Sequence, residues 1–202
     1  MSLIDDIVEL EWQAFDKVQN EGGRASCQDN FETFRIMRKS QFLAWDVATL
    51  SGYHQDLCIA ARRGRNLVQE KYARMMASTA PAEYAAFAHQ LPPLSTWQKR
   101  AIEMIIETQL VWREAFAAQY PKLSGQARLI RTAEDSAYGT SFETYLRGEL
   151  GTYSEDTLKA YQRMVEDYLQ EDRNLTTMTM EHTAKLYGYA SLRDAESKLV
   201  ES

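Results

Sequence analysis

The chain has few cysteines, prolines and glycines, and it lacks long apolar runs. Its 202 residues include two cysteines, Cys27 and Cys58, whereas a small secreted fold stapled by disulfides carries more. Nine glycines and four prolines supply few of the turns that a sheet-rich protein needs. No apolar run reaches the roughly 20 residues of a membrane-spanning helix, and the N-terminal residues 1–6 are acidic, unlike a signal peptide. The sequence therefore predicts a cytoplasmic protein with free thiols and no membrane segment.

An excess of positive charge is also missing. The formal net charge is −6, whereas proteins that bind nucleic acids generally carry a basic surface. This balance argues against a nucleic-acid partner, and it indicates nothing about a protein partner.

The motifs of the common metal and nucleotide sites are absent. The Glu-x-x-His pairs of di-iron bundles, HExxH and paired CxxC do not occur. Neither the Walker loop, nor GxGxxG, nor GxSxG is present. His54 and Cys58 are four residues apart and could share a metal on one helix face, but two ligands do not make a site. We therefore expect no metal and no cofactor, and interpret His54 and Cys58 as packed neighbours.

What the sequence does contain is a set of strong helix formers with apolar residues at helical spacing. The pattern predicts an all-α fold, a multi-helix bundle of about eight to ten helices, forming a single helical domain over residues 1–202. It places a helix break at Ser51 and Gly52, and puts Gly64 in the middle of a helix. The other predicted helices span 2–18, 81–89, 95–120, 126–133, 142–150, 154–173 and 174–187, with a last one from Ser191.

Several of these predicted helices carry a polar residue within an apolar stripe. They include Glu11 on the first helix, Arg38 and Gln41 on the second, Arg65 on the third and Glu149 on a later one. An unpaired charge costs several kcal/mol to bury, so these side chains should meet one another or a ligand. One interpretation is an internal network of ion pairs. The other, our leading hypothesis, is a pocket between helices that binds a small anionic or zwitterionic molecule.

The pocket hypothesis gives each candidate residue a role. Arg38, Arg65 and Arg147 would hold the negative group through paired N–H donors. Glu11 and Glu149 would orient the other end of the ligand or deprotonate it, which makes them candidate catalytic groups. The residues expected to give specificity are Gln41, Asn66, Tyr72, Tyr145 and Tyr153.

The segment 22–28 is a second candidate site. It combines two glycines with Arg24 and Cys27 ahead of a predicted helix, where backbone N–H groups can bind an anion. The same position can lower the pKa of a cysteine thiol and make Cys27 a nucleophile. A tight connection with an incidental cysteine explains the pattern better, because no histidine partner is evident.

Three stretches give the chain a family resemblance: residues 22–28, 64–76 and 140–150. On these stretches the chain resembles a bacterial family with no assigned activity, the domain of unknown function 4125. The resemblance would extend over nearly the whole chain. It implies a helical bacterial domain, and it implies no reaction, ligand or catalytic residue.

Two alternatives to the pocket therefore stay open. One is a helical protein–protein interaction module with no small-molecule site, whose partner would dock on an exposed apolar patch. The other is a Cys27-dependent enzyme.

Overall fold

Eleven α-helices form most of the computed structural model, which describes residues 2–18, 23, 26–136 and 139–199. In these residues the extended structure is limited to an isolated bridge between Ser136 and Gly139. The structure thus confirms the predicted all-α, multi-helix fold. The helices are α1 (Leu3–Asp16), α2 (Phe31–Leu43), α3 (Val47–Arg62), α4 (Leu67–Thr79), α5 (Pro81–Phe87), α6 (Thr96–Gln119), α7 (Pro121–Gly125), α8 (Phe142–Leu150), α9 (Glu155–Gln170), α10 (Leu175–Leu186) and α11 (Leu192–Lys198).

Side-chain caps fix where most of these helices begin. At nine N-termini a polar side chain accepts a backbone N–H that the first turn would leave unpaired. At α6 the cap is a full capping box, in which Ser95 and Gln98 bond each other's backbone. Ser2, Ser95, Ser154 and Ser191 lie at predicted helix starts, and each caps its helix.

The predicted break at Ser51 and Gly52 is wrong, and so is the placement of Gly64. The break between α2 and α3 lies earlier in the sequence, where Asp46 caps α3 and accepts the Thr49 N–H at 2.7 Å. Gly52 lies inside α3, where a Cβ would meet the side chain of Thr157 on α9. Gly64 lies beyond the end of α3 with φ at +69°, a backbone conformation that glycine adopts without strain.

The predicted helix over 126–133 is also wrong. A short helix, α7, ends at Gly125, and a single 3-10 turn follows at Thr132–Glu134. The segment between them bonds outward to the start of α8, since Leu129 O accepts the Phe142 N–H at 2.7 Å. These bonds to α8 replace the internal ones that a helix would need.

Helix α6 is the longest helix and supplies one wall of the interior. Its 24 residues bury an apolar line that includes Ile102, Ile105 and Ile106, as its sequence predicts. Two polar side chains, Gln109 and Arg113, are buried on the same helix. In the part of the chain that the structure describes, no helix is both long and apolar enough to cross a membrane.

A glycine brings helices α4 and α8 into close contact. A Cβ on Gly148 would lie 2.9 Å from the carbonyl oxygen of Lys71 and 2.8 Å from Cγ of Met75. The missing side chain therefore lets α8 approach the α4 backbone, and this approach places Lys71 beside Glu149.

Replacing Gly148 with alanine should lower the free energy of unfolding by about 1–3 kcal/mol, because the added methyl forces the two helices apart. Urea unfolding of the variant measures this loss. Gly125→Ala is the matched control, since a Cβ there meets nothing within 4 Å. Equal stabilities of the two variants would contradict the close contact.

Candidate functional site

A cavity of about 870 Å³ lies between α1, α2, α4, α6, α8 and α10. We call it the central cavity. Its volume falls within the range of small-molecule sites in proteins. Apolar and aromatic side chains make up about half of its lining residues, and the residues 126–128 lie along it as well. The charged residues that line it are Glu11, Arg38, Lys71, Arg113, Arg128 and Glu149.

Arg38 and Glu11 form a paired contact between α2 and α1. Arg38 donates from Nε to Oε2 of Glu11 and from Nη2 to Oε1, both at 2.6 Å. This two-pronged geometry is the strongest arrangement that an arginine makes with a carboxylate. Tyr53 on α3 also donates its hydroxyl to Oε1 of Glu11. Three donors therefore occupy the Glu11 carboxylate.

Glu149 on α8 is held by residues from α2, from α4 and from the turn after α8. Arg38 donates to it at 3.2 and 3.3 Å, and Gln41 at 3.0 Å. The Lys71 ammonium lies 3.4 Å from Oε2, and the Tyr153 hydroxyl donates to Oε1 at 3.0 Å. Burial raises the pKa of Tyr153, so its hydroxyl keeps the proton that it donates. The Glu149 carboxylate thus has its acceptor positions filled.

These four charged groups neutralise one another. Two carboxylates, Glu11 and Glu149, face two cations, Arg38 and Lys71, in a network whose members are all buried. Burial raises the pKa of the Glu149 carboxyl, but the charges of Arg38 and Lys71 outweigh it and bring the pKa to about 2. A carboxylate with so low a pKa is a weak base, and its filled acceptor positions favour a structural role.

The Glu149 carboxyl should make the protein sensitive to acid. Its pKa lies below the ordinary value of 4.5 in the fold, so its stabilising contribution is present above pH 4.5 and is lost as the pH falls towards 2. That contribution is about 3 kcal/mol. Urea unfolding between pH 5 and pH 2 should therefore show a shallower loss of stability in Glu149→Gln than in the wild type. Identical slopes would contradict this role.

Arg113 lies in the same cavity but has no such partner. It is 6 % exposed on α6 and makes no hydrogen bond or ion pair with any residue that the structure describes. Its nearest neighbours are apolar, since its guanidinium carbon lies 5.9 Å from the ring centre of Phe116 and 5.6 Å from that of Phe142. Burial lowers the pKa of Arg113. An arginine nevertheless keeps its proton, so the cavity holds an unneutralised charge.

A second buried donor at the cavity also lacks an acceptor. Trp45 is 6 % exposed, and its indole Nε1 has no hydrogen-bond partner among the described residues. Trp45 and Arg113 both line the central cavity. Each leaves an N–H group unpaired, and such a group costs about 1–3 kcal/mol to bury.

Arg128 adds a second surplus cation to the wall. It is exposed, its Nη1 donates to the Thr140 carbonyl at 3.1 Å, and its guanidinium carbon lies 4.6 Å from the ring centre of Tyr145. Tyr145 in turn accepts a hydrogen bond from Lys71 at 2.7 Å. The described lining therefore contains four cations and two carboxylates, although the whole chain is acidic.

The structure brings together many of the residues chosen from sequence. Six of them line the central cavity, and Tyr153 bonds Glu149 from outside the lining. Arg38, Gln41 and Glu149 are in direct contact. The six lining residues are Glu11, Arg38, Gln41, Tyr72, Tyr145 and Glu149.

Three other candidates lie elsewhere. Arg65 pairs with Glu70 at 2.7 and 2.8 Å, and Asn66 caps α4 while donating to the Ala14 carbonyl. Arg147 is held between carboxylates of Glu103 and Glu143, at the edge of a smaller cavity of about 310 Å³. Arg24 and the side chain of Cys27 lie outside the described residues. A role for Cys27 therefore stays a prediction.

The sequence analysis missed three cavity cations as site residues: Lys71, Arg113 and Arg128. A signal for Arg113 exists, because Ile102, Ile106, Gln109, Arg113 and Phe116 follow one another at steps of three and four residues. This stripe places Arg113 on the buried face of α6. Lys71 has the same relation to Val68 and Met75 on α4.

The His54 and Cys58 pair does not form a larger cluster. His54 Nε2 lies 2.7 Å from the Asp6 carboxylate, and Cys58 Sγ lies 3.8 Å from His54 Nε2. Within the described ranges, no three side chains among His, Cys, Asp and Glu are grouped in a way that could hold a metal ion.

One comparison with known proteins gave a match. The model of a family described as protein of unknown function (DUF4125) matches residues 1–197. This match confirms the family resemblance noted in the sequence. No curated protein and no solved structure matches the chain.

Proposed function

We propose that this chain, which belongs to the DUF4125 family of proteins of unknown function, binds a small acidic molecule in the central cavity. The observation that carries the proposal is Arg113, a largely buried arginine that lines the cavity and makes no hydrogen bond or ion pair with any described residue. A fold gains no stability by burying a lone charge. A cation kept at the wall of a large cavity is instead suited to bind an anion there.

The other arginines are less suited to this task. Arg38 already bonds two carboxylates, and Arg65 and Arg147 have partners of their own. An anion would have to compete with those carboxylates for the same donors. The sequence suggested that these three arginines hold the negative group of the ligand. In the proposal Arg113 has this role instead, and Arg38 stabilises the wall of the cavity.

The proposal is one of binding and includes no reaction. The carboxylates that could act as a base, Glu11 and Glu149, already accept several hydrogen bonds each. Arg113 stays protonated and transfers no proton at neutral pH. A cytoplasmic location stays a prediction that is compatible with such a binding protein.

Native mass spectrometry of the protein purified gently from its own cells tests the proposal. The wild type should retain a small molecule, and tandem analysis should show that this molecule carries an acidic group. Arg113→Met, purified in the same way, should lack it. Arg100→Met is the matched control, because Arg100 is exposed on the same helix, and it should retain the molecule.

Two results would contradict the proposal. One is an equal amount of the bound molecule in the wild type and in Arg113→Met, which would place the molecule elsewhere. The other is a bare polypeptide mass for every preparation. That second result would favour the alternative of a protein–protein interaction module.

A further inference from the structure

We infer that the ligand of the central cavity is a monocarboxylic acid with an aromatic body. This inference rests on the proposed function and deepens it, because it names the chemical class of the acid. Two groups of lining residues support it: a cluster of aromatic rings and the unpaired cation Arg113.

One wall is aromatic and is built by α1, α2 and α4. The rings of Phe15 and Phe34 stack with centres 5.2 Å apart and planes inclined by 13°. Tyr72 lies 6.3 Å from Phe15, and Val68 packs in the same cluster. These four residues line the central cavity. Such a surface binds a flat apolar group through burial and through offset or edge contacts between rings.

The apolar surface at this wall extends to the solvent. Met37 lines the cavity and is 49 % exposed, so a large apolar side chain stands open beside the aromatic wall. Methionine is flexible and adapts its shape to an apolar group that binds against it. The body of the ligand can therefore pack against Met37 as it enters.

Another part of the lining, from α6 and α10, holds the cation that has no anionic partner among the described residues. Arg113 from α6 faces the cavity together with Thr176 and Thr179 from α10. A guanidinium with two hydroxyl-bearing residues on a nearby helix is suited to a planar carboxylate, which accepts two parallel N–H bonds. Arginine makes this contact better than lysine, because its donors form a fixed fork.

The number of charges favours a monoanion. Arg113 is the one buried cation of the described lining without an anionic partner, since Arg38 and Lys71 already face Glu11 and Glu149. Arg128 is exposed, so water and salt screen its charge. A carboxylate neutralises Arg113, whereas a phosphate dianion would bring an additional charge into apolar surroundings.

The volume of the cavity favours an occupant larger than a bare ion. About 870 Å³ is far more than a carboxylate group or an inorganic anion fills. Sites of this size usually enclose a whole organic molecule within mainly apolar walls. The remaining space lies beside the aromatic wall, and this is where the body of the acid would be buried.

Isothermal titration calorimetry of the full-length protein at pH 7 tests the inference with four probes. The first probe, 3-phenylpropanoate, has the proposed charge and body. The second, 3-phenylpropanamide, has the body without the charge, and acetate has the charge without the body. Inorganic phosphate represents an anion of higher charge. We expect 3-phenylpropanoate to bind at least about tenfold more tightly than the amide and about 100-fold more tightly than acetate.

Two variants locate the probe at Arg113 and at the aromatic wall. Arg113→Met should weaken 3-phenylpropanoate at least about tenfold and leave the amide unchanged. Phe34→Leu should weaken both phenyl compounds several-fold, because it removes one ring from the aromatic wall. Thermal unfolding of each variant checks that it is folded. Arg100→Met should bind all four probes as the wild type does.

The possible outcomes separate the inference from the proposed function. If acetate or phosphate binds as tightly as 3-phenylpropanoate and its binding depends on Arg113, the inference of an aromatic acid is wrong. The proposed function, binding of an acidic molecule at Arg113, is then still supported. If the amide binds as tightly as the acid, and Arg113→Met changes neither, both the inference and the proposed function fail. If none of the probes binds at millimolar concentration, the inference is overturned, and native mass spectrometry still decides the proposed function.

Discussion

Replacing Arg38 with methionine should lower the free energy of unfolding by about 3–5 kcal/mol, the largest loss that we expect from any single change at this site. The substitution removes the donors that neutralise Glu11 and Glu149, and both carboxylates are buried. Among the described residues, Lys71 is the one remaining cation in contact with Glu149, and no bond joins it to Glu11. Two buried carboxylates would then share a single cation.

Urea unfolding at pH 7 measures this loss. Arg35→Met provides a matched control on the same helix, since Arg35 forms an exposed pair with Glu32. Exposed pairs contribute at most about 1 kcal/mol, so this control should unfold almost as the wild type does. A decrease of less than about 1 kcal/mol in the free energy of unfolding of Arg38→Met would show that the buried network does not hold α1, α2 and α8 together.

Replacing Arg113 with methionine should have the opposite sign and raise the free energy of unfolding by about 1–4 kcal/mol. Arg113 is as buried as Arg38, but no carboxylate offsets the cost of removing its charge from water. Methionine has a similar length, fills the same space between Phe116 and Phe142, and brings no charge. Stability gained in this way at the expense of binding is typical of functional sites.

The measurement is urea unfolding of ligand-free protein, prepared by unfolding and refolding the chain. Arg100→Met, an exposed change on the same helix, should alter the stability little. A clear loss of stability for Arg113→Met would indicate that Arg113 is satisfied within the fold. The charge would then need no ligand, and the proposal would lose its main support.

The sequence predicted the helices well because the polar residues that cap them can be recognised in the local sequence. Serines at Ser95, Ser154 and Ser191 cap three helices at the predicted places. The errors arose where contacts from elsewhere decide the backbone. The residues 126–133 have a helical composition, but their backbone groups bond to the start of α8. Such competition between local preference and distant contacts does not show in the sequence.

The candidate site was predicted in part, for a physical reason. A polar residue on an apolar stripe signals burial, and this identified Glu11, Arg38 and Glu149, which the fold brings together. The prediction that Arg65 lies on the buried stripe of a helix was wrong. The helix ends before Gly64, and Arg65 bonds to Glu70 instead. A stripe read on one helix depends on where that helix begins and ends.

The unpaired state of Arg113 could not be predicted from the sequence. Its spacing on α6 indicates burial, but whether a buried cation has a partner depends on which residues of other helices lie opposite. Here those residues include Phe142 from α8 and Thr176 from α10. Whether Arg113 has a partner, the property that points to a function, thus depends on how the helices pack against one another.

A crystal structure of the protein purified gently from its own cells, at a resolution that places individual oxygen atoms, tests the central claim most directly. We expect an organic molecule in the central cavity, with its acidic group about 2.7–3.2 Å from the guanidinium nitrogens of Arg113 and its body against Phe15, Phe34 and Tyr72. A cavity that holds water alone, or a molecule whose acidic group lies away from Arg113, would contradict the account.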